Sequence, residues 1–218
     1  MAMPIRLSPT SSPRIRGFAL MAQFLSTSKS IAPTANLPRI IKKRTVELVS
    51  MKLYLLRHGI AVERVGGAIK SDFERPLTEE GRKELYVVGE ALKRLNVKTD
   101  LVISSPLVRA KQTAEIIAEV HSVGKPVEIS EALAPGGGAS DIYKVLRKFS
   151  SANEVFLVGH EPDIGRLAGN LLWAGPEFDM PFKKAGVCRI DIADVPPSYP
   201  GRLKWFVSPK IMSYVAGK

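Results

Sequence analysis

From Met51 onward the chain alternates short, unbroken apolar runs with longer stretches in which apolar residues recur every three or four positions. Unbroken runs mark strands buried on both faces of a parallel sheet, whereas the three- and four-residue spacing is that of a helix with one buried face. Three runs qualify as strands: residues 51–56, 101–104 (LVIS) and 154–158, with a weaker one at 127–129. Between the first two, Thr78 stands as an N-cap ahead of Glu79 and Glu80, whose charges suit a helix N-terminus. Leu85, Val88, Leu92 and Leu95 trace one apolar face behind it, which predicts a helix to about Leu95.

Past the second strand, Ser105-Pro106 predicts a cap with proline at the first helical position, opening a helix that carries Arg109. A glycine-rich turn at 135–138 precedes a short helix that Ser140 caps and that ends near Phe149. Pro162 starts a helix running through Leu172, and residues 186–192 and 203–208 read as a closing pair of strands joined by the Pro-rich turn 195–201. Strands alternating with helices predict an α/β fold: a three-layer α/β/α sandwich with a mostly parallel sheet, in one domain over residues 51–218.

Charge changes the picture of the first 50 residues only. The net charge of the whole chain is +11, a value that raises nucleic-acid binding as a question. Residues 1–50 hold eight basic side chains against the single acid Glu47, while the remaining 168 residues carry 24 basic and 20 acidic groups. The body therefore has an ordinary surface balance, with no track for nucleic acid. The tail is basic, rich in Ser and Thr and nearly free of acids, which is the composition of an organelle transit peptide; a disordered basic arm shares it. The opening Met-Ala and the Ser and Pro content favour a plastid (the chloroplast stroma) over a mitochondrion. The apolar stretch from Gly17 to Leu25 is shorter than a membrane span, so no membrane anchor is expected. A single cysteine, Cys188, excludes an internal disulfide. With only His58, His121 and His160 beside it there is no zinc-ligand spacing, and neither a metal nor a cofactor is expected.

The candidate chemistry lies at strand ends. The first strand runs into Arg57-His58-Gly59 and the 154–158 strand into Gly159-His160, and ligands of open α/β sheets bind beyond the carboxyl ends of strands. Neutral imidazole is a competent nucleophile towards phosphorus, and His58 is the candidate. Arg57 supplies a planar, permanently charged fork matched to phosphate oxygens and favours the neutral imidazole by charge repulsion. Arg109, in the first turn of its helix, is the second cation, where free backbone N–H groups already favour an anion. His160 is placed to donate to phosphoryl oxygens in a loose transition state. His121, flanked by a helix end, reads as an ordinary core histidine.

Taken in order, the strand ending in RHG, the capped helix after RPLTEEG (75–81), SSPLVRAKQTAE (104–115) and VGHEP (158–162) resemble the histidine phosphatase superfamily, of phosphoglycerate mutase-like fold. The resemblance spans essentially 51–208, and within the superfamily the short chain is most similar to the bacterial phosphohistidine phosphatase group. It implies a metal-independent phosphatase with His58 as the phosphorylated nucleophile, and Arg57, Arg109 and His160 forming the phosphate pocket. The implied partner is a phosphorylated substrate, a phosphohistidine protein among the candidates.

One departure from the family pattern matters. Mutases and many broad phosphatases of the superfamily carry a general-acid Glu shortly after the third strand, where this chain reads EALAPGGG (131–138) with Pro135 at the expected position. A mutase mechanism must protonate an alkoxide, whereas the departing nitrogen of phosphohistidine is far less basic and demands less of an acid. Asp72, Glu131 and Glu161 stand as candidate replacement acids. The alternatives to a phosphohistidine phosphatase are therefore a phosphatase of small phosphomonoesters using one of them, and a phospho-ligand-binding module of little turnover. Residues 60–77 and 130–139 are the only sizeable segments available to roof the pocket, so an open site is expected.

Overall fold

The computed structural model describes residues 51–63, 71–173, 175, 178 and 180–218. The expectations for residues 1–50, their compartment included, and for much of the 60–77 roof lie outside the described residues.

The apolar runs form a six-stranded sheet of order β3-β2-β4-β1-β5-β6. Its strands are β1 (Met51–Arg57), β2 (Leu101–Ser104), β3 (Glu128–Ile129), β4 (Glu154–Gly159), β5 (Val187–Ile192) and β6 (Arg202–Val207). The first four are mutually parallel, β5 runs antiparallel to β1, and β6 antiparallel to β5. Only β5 therefore opposes the others, and the closing hairpin makes the mostly parallel sheet a mixed one.

Among the described residues five α-helices cover the two faces: α1 (Glu79–Arg94), α2 (Val108–Val120), α3 (Ala139–Lys148), α4 (Asp163–Leu172) and α5 (Pro209–Val215). Because side chains alternate along a strand, β1 feeds both cores at once. Leu53 and Leu55 join Ile142 and Leu146 of α3 and Ile164, Leu167 and Leu171 of α4 on one face. Tyr54 and Leu56 join Leu85, Val88 and Leu92 of α1, Ile117 of α2 and Met212 of α5 on the other. Each leucine so buried contributes about 1.5–3 kcal/mol, enough to explain why the central strands read as continuous apolar runs.

Caps and helix starts show where local reading holds and where it does not. Thr78 caps α1 as expected, its hydroxyl accepting from Gly81 N at 3.0 Å. Leu95, expected on the buried face, is 44% exposed because α1 has ended at Arg94. Ser140 is not a cap: α3 begins at Ala139 with Gly138 in the cap position. Nor does Ser105 cap α2, which begins three residues later at Val108 because Leu107 is still extended, at φ −66° and ψ 136°. Helix α5 was not among the predicted elements; its seven residues are too few to display a period.

Candidate active site

Three backbone hydrogen bonds set the site on the carboxyl edge of the sheet. His58 N donates to Gly159 O, Ser105 N to Val158 O, and Arg57 N to Gly186 O, so the segments leaving β1, β2 and β4 stay side by side beyond the last strand residues. The rings of His58 and His160, 102 positions apart in the chain, come to a centroid separation of 5.0 Å with planes inclined at 52°.

The hydrogen bonds of His58 decide its tautomer. Its Nδ1 lies 2.7 Å from Gly59 O, which can only accept, so the proton sits on Nδ1. Its Nε2 receives the Arg109 Nε–H at 3.2 Å and therefore presents a lone pair. Burial of the ring, only 7% exposed, pushes its pKa from 6.5 to about 3, with smaller contributions from His160, Arg109 and Arg57. The neutral imidazole expected from sequence is present, but desolvation is its main cause and repulsion by Arg57 a minor one.

The two arginines are held differently. Arg57 Nη1 donates to Phe182 O at 2.6 Å, leaving its buried Nε without a partner among the described residues. Arg109 is 6% exposed, and the end of its guanidinium is engaged by a single residue. Nη1 donates to Asp72 O at 2.7 Å and Nη2 to Asp72 Oδ2 at 2.8 Å, while the Nε–H edge faces His58. Arg75 donates to the other carboxylate oxygen of Asp72 at 2.8 Å and to Val62 O at 2.7 Å, tying the Asp72 turn to the chain just after β1. Hydrogen bonding to Arg75 foremost, and to Arg109, holds the Asp72 carboxyl below its ordinary pKa. Asp72 is thus an ionised buttress of Arg109 and a poor proton donor.

His160 completes the cage. Its Nε2 lies 2.8 Å from Ser105 Oγ, which also accepts from Leu107 N at 3.3 Å. Burial lowers the His160 pKa to about 4, and its Nδ1 is buried without a partner among the described residues. Of the other candidate acids, Glu161 accepts from Phe182 N at 2.7 Å and Glu131 opens an exposed turn. His121 packs against Phe156 on the α1–α2 face, at a centroid distance of 5.9 Å.

A cavity of about 520 Å³ lined by Tyr143, Arg166, Asn170, Trp173 and Phe178 contains none of these groups. Among the described residues no group of three or more His, Cys, Asp or Glu side chains is placed to hold a metal ion.

A family model described as the histidine phosphatase superfamily, branch 1, matches residues 53–135. An uncharacterized protein of Picosynechococcus is 35% identical over 139 residues, which cover 63% of this chain and 82% of that protein. The chain belongs to the histidine phosphatase superfamily. Within the superfamily, phosphohistidine phosphatase SixA of Escherichia coli is 26% identical over 161 residues, or 73% of this chain and 94% of SixA. A solved structure of the protein histidine phosphatase SixA in complex with tungstate superposes with a TM-score of 0.65 at 26% identity, covering 74% of this chain and 99% of that one. The superfamily and these relatives support phosphatase activity.

The four residues singled out in the sequence, Arg57, His58, Arg109 and His160, do converge. What sequence reading of this superfamily member missed is the support around them. Thr113, fully buried in α2, accepts from Gly59 N at 3.1 Å and donates to Arg109 O at 2.7 Å, bridging the two segments that carry His58 and Arg109. Its signal was a threonine four residues after Arg109, where a hydroxyl can bond back to the i−4 carbonyl. Ser105, read as a cap, instead faces His160, and the carbonyl of Phe182 carries no sequence signal.

Proposed function

We propose that this protein hydrolyses phosphohistidine, or a similarly labile phosphoramidate, through a covalent intermediate on His58. The observation that carries the reading is the state of His58: neutral, its proton held on Nδ1 by Gly59 O, and its Nε2 lone pair directed into a cage with Arg109 and His160. In the first step Nε2 attacks phosphorus, a new P–N bond forms, and the bond to the leaving nitrogen breaks with its electron pair staying on that nitrogen. A phosphorylated imidazole protonated by water on its second nitrogen departs as neutral imidazole, so no strong acid is needed. In the second step water attacks the same phosphorus and releases phosphate, returning Nε2 to its starting state.

Arg57, Arg109 and His160 are suited to the charge that spreads over the three equatorial oxygens during both steps. Asp72, ionised between two arginines, is ill placed to serve a phosphomonoester as proton donor, which favours the P–N substrate. The test is to offer the purified chain a phosphohistidine peptide, a phosphoserine peptide and para-nitrophenyl phosphate in parallel. The expected result is preferential turnover of the first, an acid-labile label on the protein, and loss of both in His58→Ala. Preferential turnover of the monoesters would overturn the substrate assignment, and a label persisting in His58→Ala would overturn the nucleophile.

A further inference from the structure

The positive charge of the folded region is gathered in one part of it. Residues 180–218 carry seven basic side chains and two acids, whereas residues 51–179 carry 17 basic and 18 acidic ones. No acid occurs between Met180 and Ile190 or between Leu203 and Lys218. These stretches contain the 181–184 segment, β5, the edge strand β6 and α5.

Register shows which part of that region lies beside the candidate site. Leu56 pairs with Val187 and Val187 with Val207, so the carboxyl end of β6 and the start of α5 stand at the same edge of the sheet as His58. Two strand spacings separate β6 from β1, roughly 10 Å. There the exposed Lys183 and Lys184 adjoin a groove of about 280 Å³ lined by Pro181, Lys183, Phe206, Val207, Ser208 and Ile211, with Lys210 exposed beside it. Phe206 and Ile211 are 39% and 48% exposed.

One segment, 181–185, joins this groove to the phosphate cage. The Phe206 ring packs on Phe182 at a centroid distance of 4.7 Å, the Phe182 carbonyl holds Arg57 Nη1, and three residues on Ala185 N donates to His58 O. The 181–185 segment is thus both a wall of the cage and a rim of the groove. Exposed apolar side chains ringed by lysines mark a recognition surface, and their charge selects its occupant.

We propose that this surface docks the acidic flank of a phosphorylated protein, placing its phosphoryl group at His58. The proposal rests on the phosphatase reading for the second half of that sentence only; the docking is measurable without turnover. An acidic polypeptide is favoured over a nucleic acid because the groove offers apolar depth beside the charge, which suits a side chain better than a sugar-phosphate backbone.

The test uses two fluorescently labelled phosphohistidine peptides, identical except for glutamates or lysines at the positions flanking the histidine. Binding is read by anisotropy and turnover in parallel, with the full chain and with the triple variant Lys183→Glu, Lys184→Glu, Lys210→Glu. The charged tail is the same in both proteins, so the difference between them reads this surface alone. Each exposed attractive pair contributes about twofold in affinity, so three lysines together predict that wild type binds the glutamate peptide at least about eightfold more tightly than the triple variant does, with the lysine peptide changing in the opposite direction. The excess should vanish in about 1 M salt, where the screening length is roughly 3 Å. An Ile211→Asp variant, outside the cage, should lower glutamate-peptide affinity while leaving turnover of para-nitrophenyl phosphate unchanged. Equal preferences in wild type and triple variant would overturn the proposal. So would displacement of the glutamate peptide by poly(U) RNA that binds wild type tightly and the variant weakly, which would assign the surface to nucleic acid. Failure of all turnover with the binding preference intact would instead refute the phosphatase reading and leave the docking standing.

Discussion

Replacing Thr113 by valine changes almost no volume and removes one oxygen from the support beneath His58, the proposed nucleophile. That oxygen accepts the Gly59 N–H and donates to Arg109 O, in a position with no solvent exposure. In Thr113→Val the Gly59 N–H is buried without an acceptor, which costs about 1–3 kcal/mol. For a domain of this size that corresponds to a fall in Tm of about 4–8 °C, taking about 2 kcal/mol and 2–4 °C per kcal/mol. The catalytic loss has a separate origin. Gly59 O is the acceptor that keeps the His58 proton on Nδ1, so loosening the Gly59 backbone, whose N–H Thr113 holds, shifts that carbonyl and misdirects the lone pair on Nε2. Misplacement by a fraction of an ångström to an ångström lowers kcat by about tenfold to a hundredfold, with KM little changed because the Arg109 guanidinium keeps its bonds to Asp72 and only its backbone carbonyl loses a donor. Thr113→Ser keeps both hydrogen bonds and loses one buried methyl, about 0.8 kcal/mol, so it should melt a few degrees lower and retain near wild-type kcat. Thermal melts and steady-state turnover of the three proteins make the comparison. A Thr113→Val enzyme with wild-type kcat, or a serine variant as slow as the valine one, would show that the hydroxyl does not orient His58.

Two further perturbations test the electrostatics. Burial depresses His58 to about 3 and His160 to about 4, against an ordinary 6.5, so between these values the unfolded chain binds more protons than the folded one. Stability from these rings is complete above about pH 6.5 and is lost as the pH falls through 4 towards 3; denaturant midpoints measured from pH 8 to pH 4 should decline on the acid side, and more gently in His58→Gln, whereas a rise on acidification would refute the burial argument. Substituting Asp72→Asn leaves the backbone carbonyl bond to Arg109 and removes two half-exposed ion pairs, with Arg109 and with Arg75, so stability should fall by no more than about 2 kcal/mol while kcat/KM falls about three- to tenfold. A loss as large as that of His58→Ala would mean that Asp72 takes part in the chemistry itself.

The family supplies a point of reference for what was legible along the chain. The central strands, the cap at Thr78 and the Arg57, His58, Arg109 and His160 quartet are all local signals: an apolar run is long because both faces of that strand are buried, and ligand-binding residues sit where such a run stops. Ser105 illustrates the limit. Ser-Pro is a sound local signal for a helix start, but the hydroxyl bonds a ring 55 residues away and the helix begins beyond the extended Leu107. Asp72 shows the same limit in its chemistry, since as an isolated side chain it was a candidate acid and only its two arginine partners make it a buttress.

Hydrophobic period and chain order, then, determined by themselves the layers and the strand ends at which Arg57, His58 and His160 stand, because each follows from neighbours a few positions apart, while the resemblance of the motifs joined Arg109 to them. The tertiary structure decided which nitrogen of His58 bears the proton, why that ring stays neutral, what buttresses Arg109 and which exposed lysines lie beside the cage. Those properties depend on desolvation and on hydrogen-bond partners that come from distant segments. Such partners have no fixed spacing in the chain, so no periodicity records them.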